Sequence, residues 1–141
     1  MTKVFFDTWG WVAIAHKNDT HHYEAITFCR NFLPNKGAPV TTDYILAETI
    51  TLLRAKTEAD GVNLFIDTIL EAVEKGRILL ERIDEKRWQK AWNQSKKYKD
   101  KSGISFVDFT SFVVMKEMGL TSALTADKHF EEIGMGFKKL F

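Results

Sequence analysis

Hydrophobic and polar positions alternate along the chain in a pattern that predicts short strands separated by helices. Brief apolar runs predict strands at 4–6, 38–41, 77–83 and 121–126, with a last edge strand at 135–141. Between them, apolar residues recur at three- and four-residue spacing, which is typical of amphipathic helices. The predicted helices cover 9–16, 22–32, 42–56, 59–75, 84–98, 105–118 and 128–133. Strands that alternate with helices predict an α/β sandwich with a mostly parallel sheet.

The segment 105–118 differs from the other predicted helices because it is apolar on nearly every side. A helix without a polar face is expected to be buried, so this segment predicts the central helix of the fold. Asp108 lies in its first turn, where an unpaired carboxylate would be costly to remove from water. Gly119 is expected to end the helix as a C-cap, and Asp127 directly follows the next predicted strand. Both aspartates therefore lie at the ends of elements predicted to be buried.

Composition is that of an ordinary globular chain. The 141 residues are 45% hydrophobic and 28% charged with a formal net charge of +1, which predicts a single domain over 1–141 and no overall attraction for nucleic acid. The one cysteine, Cys29, excludes an internal disulfide and a thiolate metal cluster. No signal peptide is recognisable, and no apolar run approaches the roughly 20 residues that cross a bilayer. We therefore expect a cytoplasmic protein without a membrane partner.

Four carboxylates occupy positions from which they can meet. Asp7 closes the first predicted strand, and Glu48 is interleaved with apolar residues on the inward face of its helix. The carboxyl ends of parallel strands share one edge of a sheet, where ligands bind in open α/β folds. The acids expected to converge at that edge are Asp7, Glu48, Asp108 and Asp127. Two charges about 5 Å apart repel by roughly 3 kcal/mol at an effective dielectric of about 20, so the cluster needs a cation or bound protons. With oxygen ligands alone, the expected cation is Mg²⁺ or Mn²⁺.

A purely structural role stays open for three of these acids. Ser105 and Asp108 have the spacing of a capping box. Asp127 could cap the short helix that follows it, and Glu48 could lie at the edge of its apolar stripe and reach solvent. A chemical role is favoured because carboxylates recur at the ends or on the inward faces of elements that are predicted to be buried.

The segments FFDTWGW, ILAETITLL, SFVDFTSFVVMKEMG and LTADKHF, in that order, resemble the PIN domain family and within it the VapC-type toxins. The resemblance spans essentially the whole chain. It implies a three-layer α/β/α sandwich with a central, mostly parallel sheet of four to five strands and a divalent-metal ribonuclease site. The family's acidic residues correspond here to Asp7, Glu48, Asp108 and Asp127. The resemblance also implies an RNA substrate, a homodimer and a cognate antitoxin protein.

One position departs from the family pattern. Members often have a small hydroxyl residue two after the first aspartate, where this chain has Trp9. Thr8 or Thr125 is expected to supply the hydroxyl instead, or Trp9 narrows the mouth of the site. His129 is interpreted as a structural residue packed beside Phe130, with a phosphate contact as the alternative.

The predicted helix 84–98 and the turn after it are basic. Residues 86–101 include seven lysines and arginines, and Trp88 and Trp92 lie four apart. The two tryptophans are expected to anchor one face of the helix. The cations form either a solvated surface or a rim that steers phosphates toward the acids. Asp100, between two lysines, is assigned to a solvated turn.

These features predict a Mg²⁺-dependent endoribonuclease that hydrolyses RNA phosphodiester bonds and acts as the toxin of a toxin–antitoxin pair. The predicted metal ligands are Asp7, Glu48, Asp108 and Asp127. Two alternatives stay open: a housekeeping RNA-processing PIN nuclease and a non-catalytic interaction module on the same fold. A phosphoacceptor domain is disfavoured, because a haloacid-dehalogenase-like phosphatase needs a second aspartate where Trp9 stands.

Overall fold

Strands and helices alternate along the chain in the computed structural model, which describes residues 2–141. The strands are β1 (Thr2–Phe6), β2 (Gly37–Thr42), β3 (Leu79–Glu81), β4 (Ser122–Leu124) and β5 (Lys138–Lys139). The helices are α1 (Thr8–Ala15), α2 (His22–Phe32), α3 (Asp43–Lys56), α4 (Ala59–Glu74), α5 (Glu85–Lys97), α6 (Phe106–Met118) and α7 (His129–Glu132). Every element predicted from the sequence is present, so the α/β class is confirmed.

The five strands form one sheet in the order β3-β2-β1-β4-β5. All four strand pairs are parallel, and β1 lies at the centre between β2 and β4. Its residues Phe5 and Phe6 are fully buried, as expected for a strand covered on both faces. The sheet is therefore wholly parallel and has five strands, within the predicted range.

The strand order also accounts for helices on both faces of the sheet. From β1 the chain moves outward to β2 and β3, and right-handed crossovers place α1–α4 on one face. It then returns past β1 to β4, which places α5 and α6 on the opposite face. The close packing of α1 with α2 and α3, and of α5 with α6, agrees with this division. The result is the three-layer α/β/α sandwich.

Helix α6 is the buried helix that the sequence predicts. Eight consecutive residues, 108–115, are buried, although Asp108 is among them. Gly119 ends the helix in the left-handed conformation with φ of 67°, which glycine adopts without a Cβ penalty. Despite its apolar character α6 has 13 residues, and no helix within residues 2–141 is long and apolar enough to cross a membrane.

The outer and late strands are shorter than predicted. The expected strand 121–126 ends at Leu124, and the runs predicted at 77–83 and 135–141 pair only over Leu79–Glu81 and Lys138–Lys139. Strands β3 and β5 are the two edge strands of the sheet, and each has only one neighbouring strand. After Leu124 the side chain of Thr125 accepts a hydrogen bond from the backbone N–H of Asp127 at 3.0 Å. This turn withdraws the chain from the sheet, so Asp127 lies beyond the strand end and not directly at it.

The prediction that Trp88 and Trp92 anchor helix α5 is wrong. Their side chains are 41% and 46% exposed, whereas Ala91 between them is fully buried. The small Ala91 side chain permits close packing of α5 against α6, which leaves the two large rings at the margin of that contact. The four-residue spacing of the two tryptophans places them on one side of the helix, but it does not show whether that side faces the core or solvent.

Candidate active site

All four predicted acids line one cavity of about 240 Å³. The cavity lies at the carboxyl ends of β1 and β4, where the connection after β1 runs toward β2 and the connection after β4 runs the opposite way, toward β5. Such a reversal opens a crevice at that edge of a parallel sheet. The residues lining the cavity are Asp7, Thr8, Trp9, Glu48, Gly103, Ser105, Asp108, Asp127 and His129. The expected convergence of the acids is thus present in the fold.

Asp7 is held at the junction of β1 and α1. Its backbone N–H donates to the carbonyl of Leu124 at 3.3 Å, which ties the end of β1 to the end of β4. Helix α1 can approach β4 because residue 10 is glycine, where a Cβ would overlap the carbonyl oxygen of Leu124. The hydroxyl of Thr125 then donates to Asp7 Oδ2 at 2.8 Å in a buried contact. Asp7 is 3% exposed, which makes it the most deeply buried of the four acids.

Glu48 reaches the cavity from helix α3. The helix begins at Asp43 after Thr42, whose hydroxyl caps it by accepting the N–H of Ile45 at 3.0 Å. Glu48 lies one turn into α3 and accepts a hydrogen bond from the Thr8 hydroxyl at 2.8 Å. It is half-buried, so it is neither a solvated residue nor a member of the core. Both hydroxyls proposed from the sequence, Thr8 and Thr125, therefore contact acids of the cavity.

Asp108 has both of the roles that the sequence left open. The Ser105 hydroxyl accepts the Asp108 N–H at 3.1 Å, and Asp108 Oδ2 accepts the Ser105 N–H at 3.3 Å, which completes a capping box. The same carboxylate lines the acidic cavity. Capping and membership of the cluster are therefore compatible, because a carboxylate has lone pairs for several partners.

Asp127 and His129 form the remaining wall. Asp127 Oδ1 accepts the backbone N–H of His129 at 2.9 Å, so Asp127 does stabilise the turn before α7. The imidazole Nδ1 of His129 lies 3.1 Å from Asp127 Oδ1 and 3.5 Å from Asp108 Oδ2. The interpretation of His129 as a residue packed beside Phe130 is wrong, since its ring faces the two acids. The only sequence signal was its position two residues after Asp127.

The environment of the cavity raises the pKa of two of the acids. Burial raises the pKa of Asp7 from 3.8 to about 7, the Thr125 hydrogen bond lowers it, and the charge of Asp108 raises it. Burial also raises the pKa of Asp108 to about 6, with a further increase from the charge of Asp127. Each carboxylate thus makes ionisation of another less favourable, as expected where like charges share a site.

The donor set fits a hard divalent cation. Asp108, Asp127 and His129 each offer one ligand atom, and these atoms lie within 4.8 Å of one another. Asp7 and Glu48 line the same cavity. Carboxylate oxygens are the ligands that Mg²⁺ and Mn²⁺ prefer, and a cation would offset the repulsion that adds to the effect of burial on the two pKa values.

The other residues singled out from the sequence differ in whether they lie at the cavity. Trp9 is 43% exposed and lies on the cavity wall, and a narrowed mouth stays a prediction. Asp100 is exposed in the turn after α5 and is not among the lining residues. Of the basic residues in 86–101, Arg87 and Lys90 form ion pairs with Glu117. The predicted rim therefore consists of fewer free cations than the sequence suggested.

Comparison with known proteins shows similarity to one family along nearly the whole chain. The family model for the PIN domain matches residues 4–135. The 23S rRNA-specific endonuclease VapC20 of Mycobacterium tuberculosis is 28% identical over 137 residues, which cover 93% of this chain and 94% of that protein.

Solved structures agree with the family match. The crystal structure of Mycobacterium tuberculosis VapC20, a sarcin–ricin loop cleaving toxin, has a TM-score of 0.79 at 25% identity and covers 93% of this chain and 95% of its own. The VapBC2 complex of Rickettsia felis, bound to a DNA fragment from its promoter, includes a chain with a TM-score of 0.65 at 12% identity. That alignment covers 98% of this chain and 97% of the other, and it supports the fold alone.

Proposed function

This chain belongs to the PIN domain family, and from that premise we propose that it is a divalent-metal-dependent endoribonuclease that hydrolyses RNA phosphodiester bonds. The observation that carries the proposal is the single cavity lined by four carboxylates from four separate elements of the fold. A structural role for each acid would not require them to meet. The similarity to an endonuclease over 93% of the chain supports the same activity.

The proposed metal ligands are Asp7, Glu48, Asp108 and Asp127, with His129 beside the last two. A divalent ion held there would polarise the scissile phosphodiester and lower the pKa of a water molecule. The protein contributes ligand orientation: Thr125 fixes Asp7 through its 2.8 Å hydrogen bond, and Thr8 fixes Glu48 at 2.8 Å. These hydroxyls restrict the rotation of the two carboxylates before any ligand arrives.

Two other groups would act on the substrate side. The His129 ring, 24% exposed in its side chain, lies where it can donate a hydrogen bond to a phosphate oxygen. Trp9, which is 43% exposed on the cavity wall, would limit the width of a strand that reaches the acids. The proposed substrate class is therefore RNA with an accessible single-stranded segment.

We further propose that the protein is the toxin of a toxin–antitoxin pair, that it forms a homodimer and that a cognate antitoxin blocks its site. The similarity to VapC20, a 23S rRNA-specific endonuclease, supports the toxin role and makes ribosomal RNA the first substrate to test. The matching chain of the Rickettsia felis VapBC2 complex is 12% identical to this protein, so that comparison supports the fold alone. Co-purification with the product of a neighbouring small gene would test the antitoxin partner.

The direct test is incubation of purified protein with total RNA and with 23S rRNA, in Mg²⁺, Mn²⁺ or EDTA. We expect discrete cleavage products with either metal and none in EDTA, mapped by primer extension. The Asp108→Asn protein is the control for contaminating ribonuclease, since it removes one ligand charge with little change of volume. Equal cleavage by the variant, or cleavage in EDTA, would contradict the proposal.

A further inference from the structure

A row of three aromatic rings, Phe106, Trp88 and Trp92, begins at the edge of the core beside the acidic cavity. The ring centroids of Phe106 and Trp88 are 5.1 Å apart, and those of Trp88 and Trp92 are 6.3 Å apart with planes inclined by 28°. Phe106 directly follows Ser105, which lines the cavity. The two tryptophans are nearly half exposed. The row thus extends from the cavity wall onto the surface of helix α5.

The charge beyond the Trp92 end of this row is positive, whereas Asp84 and Glu85 lie one turn before Trp88. Lys96 lies four residues after Trp92 and so continues the same stripe of α5. Lys96, Lys97 and Lys99 are exposed, and within residues 2–141 no carboxylate lies within ion-pair distance of them. Exposed aromatic rings beside unpaired cations match the two faces of a nucleic-acid strand, its bases and its phosphates.

The same observations disfavour a second copy of the chain as the occupant. A two-fold interface brings a patch against itself. On and beside α5 the lysines that are unpaired within residues 2–141, Lys86, Lys96, Lys97, Lys99 and Lys101, outnumber the acids Asp84, Glu85 and Asp100, so two copies of this surface would meet with a net positive charge. Like charges at close range oppose such a contact, whereas the phosphates of RNA neutralise them. The apolar rings alone would suit either occupant, and the lysines decide between them.

We propose that Trp88 and Trp92 form a stacking surface for unpaired bases of the RNA strand whose phosphodiester lies in the acidic cavity. This inference rests on the proposed endoribonuclease function and adds where the flanking nucleotides bind. Stacking on aromatic side chains is tolerant of base identity, so the surface contributes affinity and position more than sequence selection. Lys96 and its neighbours would contact the phosphates of the same strand.

The test measures binding of a short single-stranded oligoribonucleotide and of an abasic strand with the same phosphates, to the full-length protein in EDTA. We expect the wild-type protein to prefer the strand with bases by about five- to hundredfold for each stacked base. The double variant Trp88→Ala/Trp92→Ala should lose this preference, and the double tyrosine variant should retain most of it. Tyr23→Ala, which removes a 79% exposed aromatic ring from another helix, is the matched control.

A second variant separates stacking from charge. Replacing Lys96, Lys97 and Lys99 with alanine should flatten the salt dependence of binding, because fewer counterions are released, and should leave the preference for bases. The tryptophan variant should do the reverse. An unchanged salt slope would show that these lysines are a solvated surface, and equal affinity of wild-type protein for both strands would overturn the stacking proposal.

The rings could also serve a dimer contact or the fold itself, and the same variants distinguish these roles. If the double alanine variant dissociates a wild-type dimer and keeps its preference for bases, the rings form a dimer interface and the proposal is wrong. If the double alanine variant does not fold, we use the Trp9→Phe protein and measure whether RNA quenches its tryptophan fluorescence. Trp88 and Trp92 are then the exposed tryptophans, because Trp11 is buried. Quenching supports stacking, and its absence overturns it. Wild-type protein that cleaves RNA without preferring bases contradicts this inference alone, whereas protein that neither binds nor cleaves RNA contradicts the proposed function too.

Discussion

Replacing Asp7 with asparagine should change how protein stability depends on pH. The folded protein holds the pKa of Asp7 at about 7, mainly because the carboxylate is buried, against 3.8 in an unfolded chain. A raised pKa means that the folded state binds the proton more tightly. Its contribution to stability is complete below pH 3.8 and is lost as the pH rises through 7. Metal-free protein should therefore be less stable at pH 8 than at pH 5.

The size of the effect follows from linkage. Between pH 5 and the folded pKa of about 7 the unfolded chain is ionised and the folded one is not. At about 1.4 kcal/mol for each pH unit, the loss between pH 5 and pH 8 is roughly 3 kcal/mol. Asp7→Asn keeps an oxygen that accepts the Thr125 hydroxyl and removes the ionisation. The variant should thus gain roughly 3 kcal/mol relative to wild type on going from pH 5 to pH 8, or about 6–12 °C in Tm for a chain of this length.

A divalent ion should produce the opposite ranking. It requires ionised Asp7, so it competes with the proton, and it should raise the wild-type Tm more at pH 8 than at pH 5. A hundredfold excess over Kd stabilises by about 2.7 kcal/mol, whereas the variant, with one ligand charge fewer, should respond less. Melting curves of the wild type and of Asp7→Asn, recorded in EDTA and in Mn²⁺ at pH 5 and pH 8, give the Tm of each protein and its rise with metal. The exposed Asp100→Asn variant is the control. Parallel behaviour of wild type and Asp7→Asn in EDTA would refute the buried, proton-binding carboxylate.

Three further outcomes test the site and its framework. Asp108→Asn should abolish metal-dependent RNA cleavage and keep the fold, whereas Asp100→Asn should cleave normally; near-normal cleavage by the former would end the four-acid assignment. Thr125→Val removes the hydroxyl that lowers the pKa of Asp7, so cleavage should need higher pH and more metal, and an unchanged pH profile of kcat/KM would contradict this role. Gly10→Ala should destabilise the protein by about 1–3 kcal/mol because its Cβ meets the Leu124 carbonyl, whereas Gly61→Ala in open space should be neutral or stabilising in urea unfolding.

The positions of three of the acids, Asp7, Asp108 and Asp127, were predictable because each lies near an element boundary with a strong local signal. Asp7 ends an apolar run, and Asp108 stands three residues after a serine at the start of an apolar helix. Once the strands are taken as parallel, their carboxyl ends must share one edge. Glu48 was identifiable for another reason, since a charged residue interrupted an apolar stripe. Topology then required few further assumptions to bring the four together.

What could not be predicted depends on how the elements are rotated and how turns close. The exposure of Trp88 and Trp92 follows from the choice of Ala91 as the contact to α6, and periodicity gives a stripe without its direction. The approach of His129 to Asp108 depends on the turn in which Asp127 accepts the His129 N–H. Neither contact leaves a periodic pattern in the sequence, because both join residues through tertiary geometry.

The capping box at Asp108 has a consequence for the chemistry of the cavity. The Ser105 N–H donates to the Asp108 carboxylate, and the Ser105 hydroxyl accepts the Asp108 backbone N–H. The carboxylate is thus held at the first turn of α6, where the partial positive charge of a helix N-terminus stabilises an anion. The Ser105 hydrogen bond lowers the pKa of Asp108 and so offsets part of the repulsion from Asp127. The pKa of Asp108 rises to about 6 and that of Asp7 to about 7, mainly because both are buried, Asp7 more deeply. The structural role thus supports the proposed chemical one, because the cap both aims the carboxylate at the cavity and keeps it easier to ionise. A divalent ion arriving near neutral pH would need to displace a proton chiefly from Asp7.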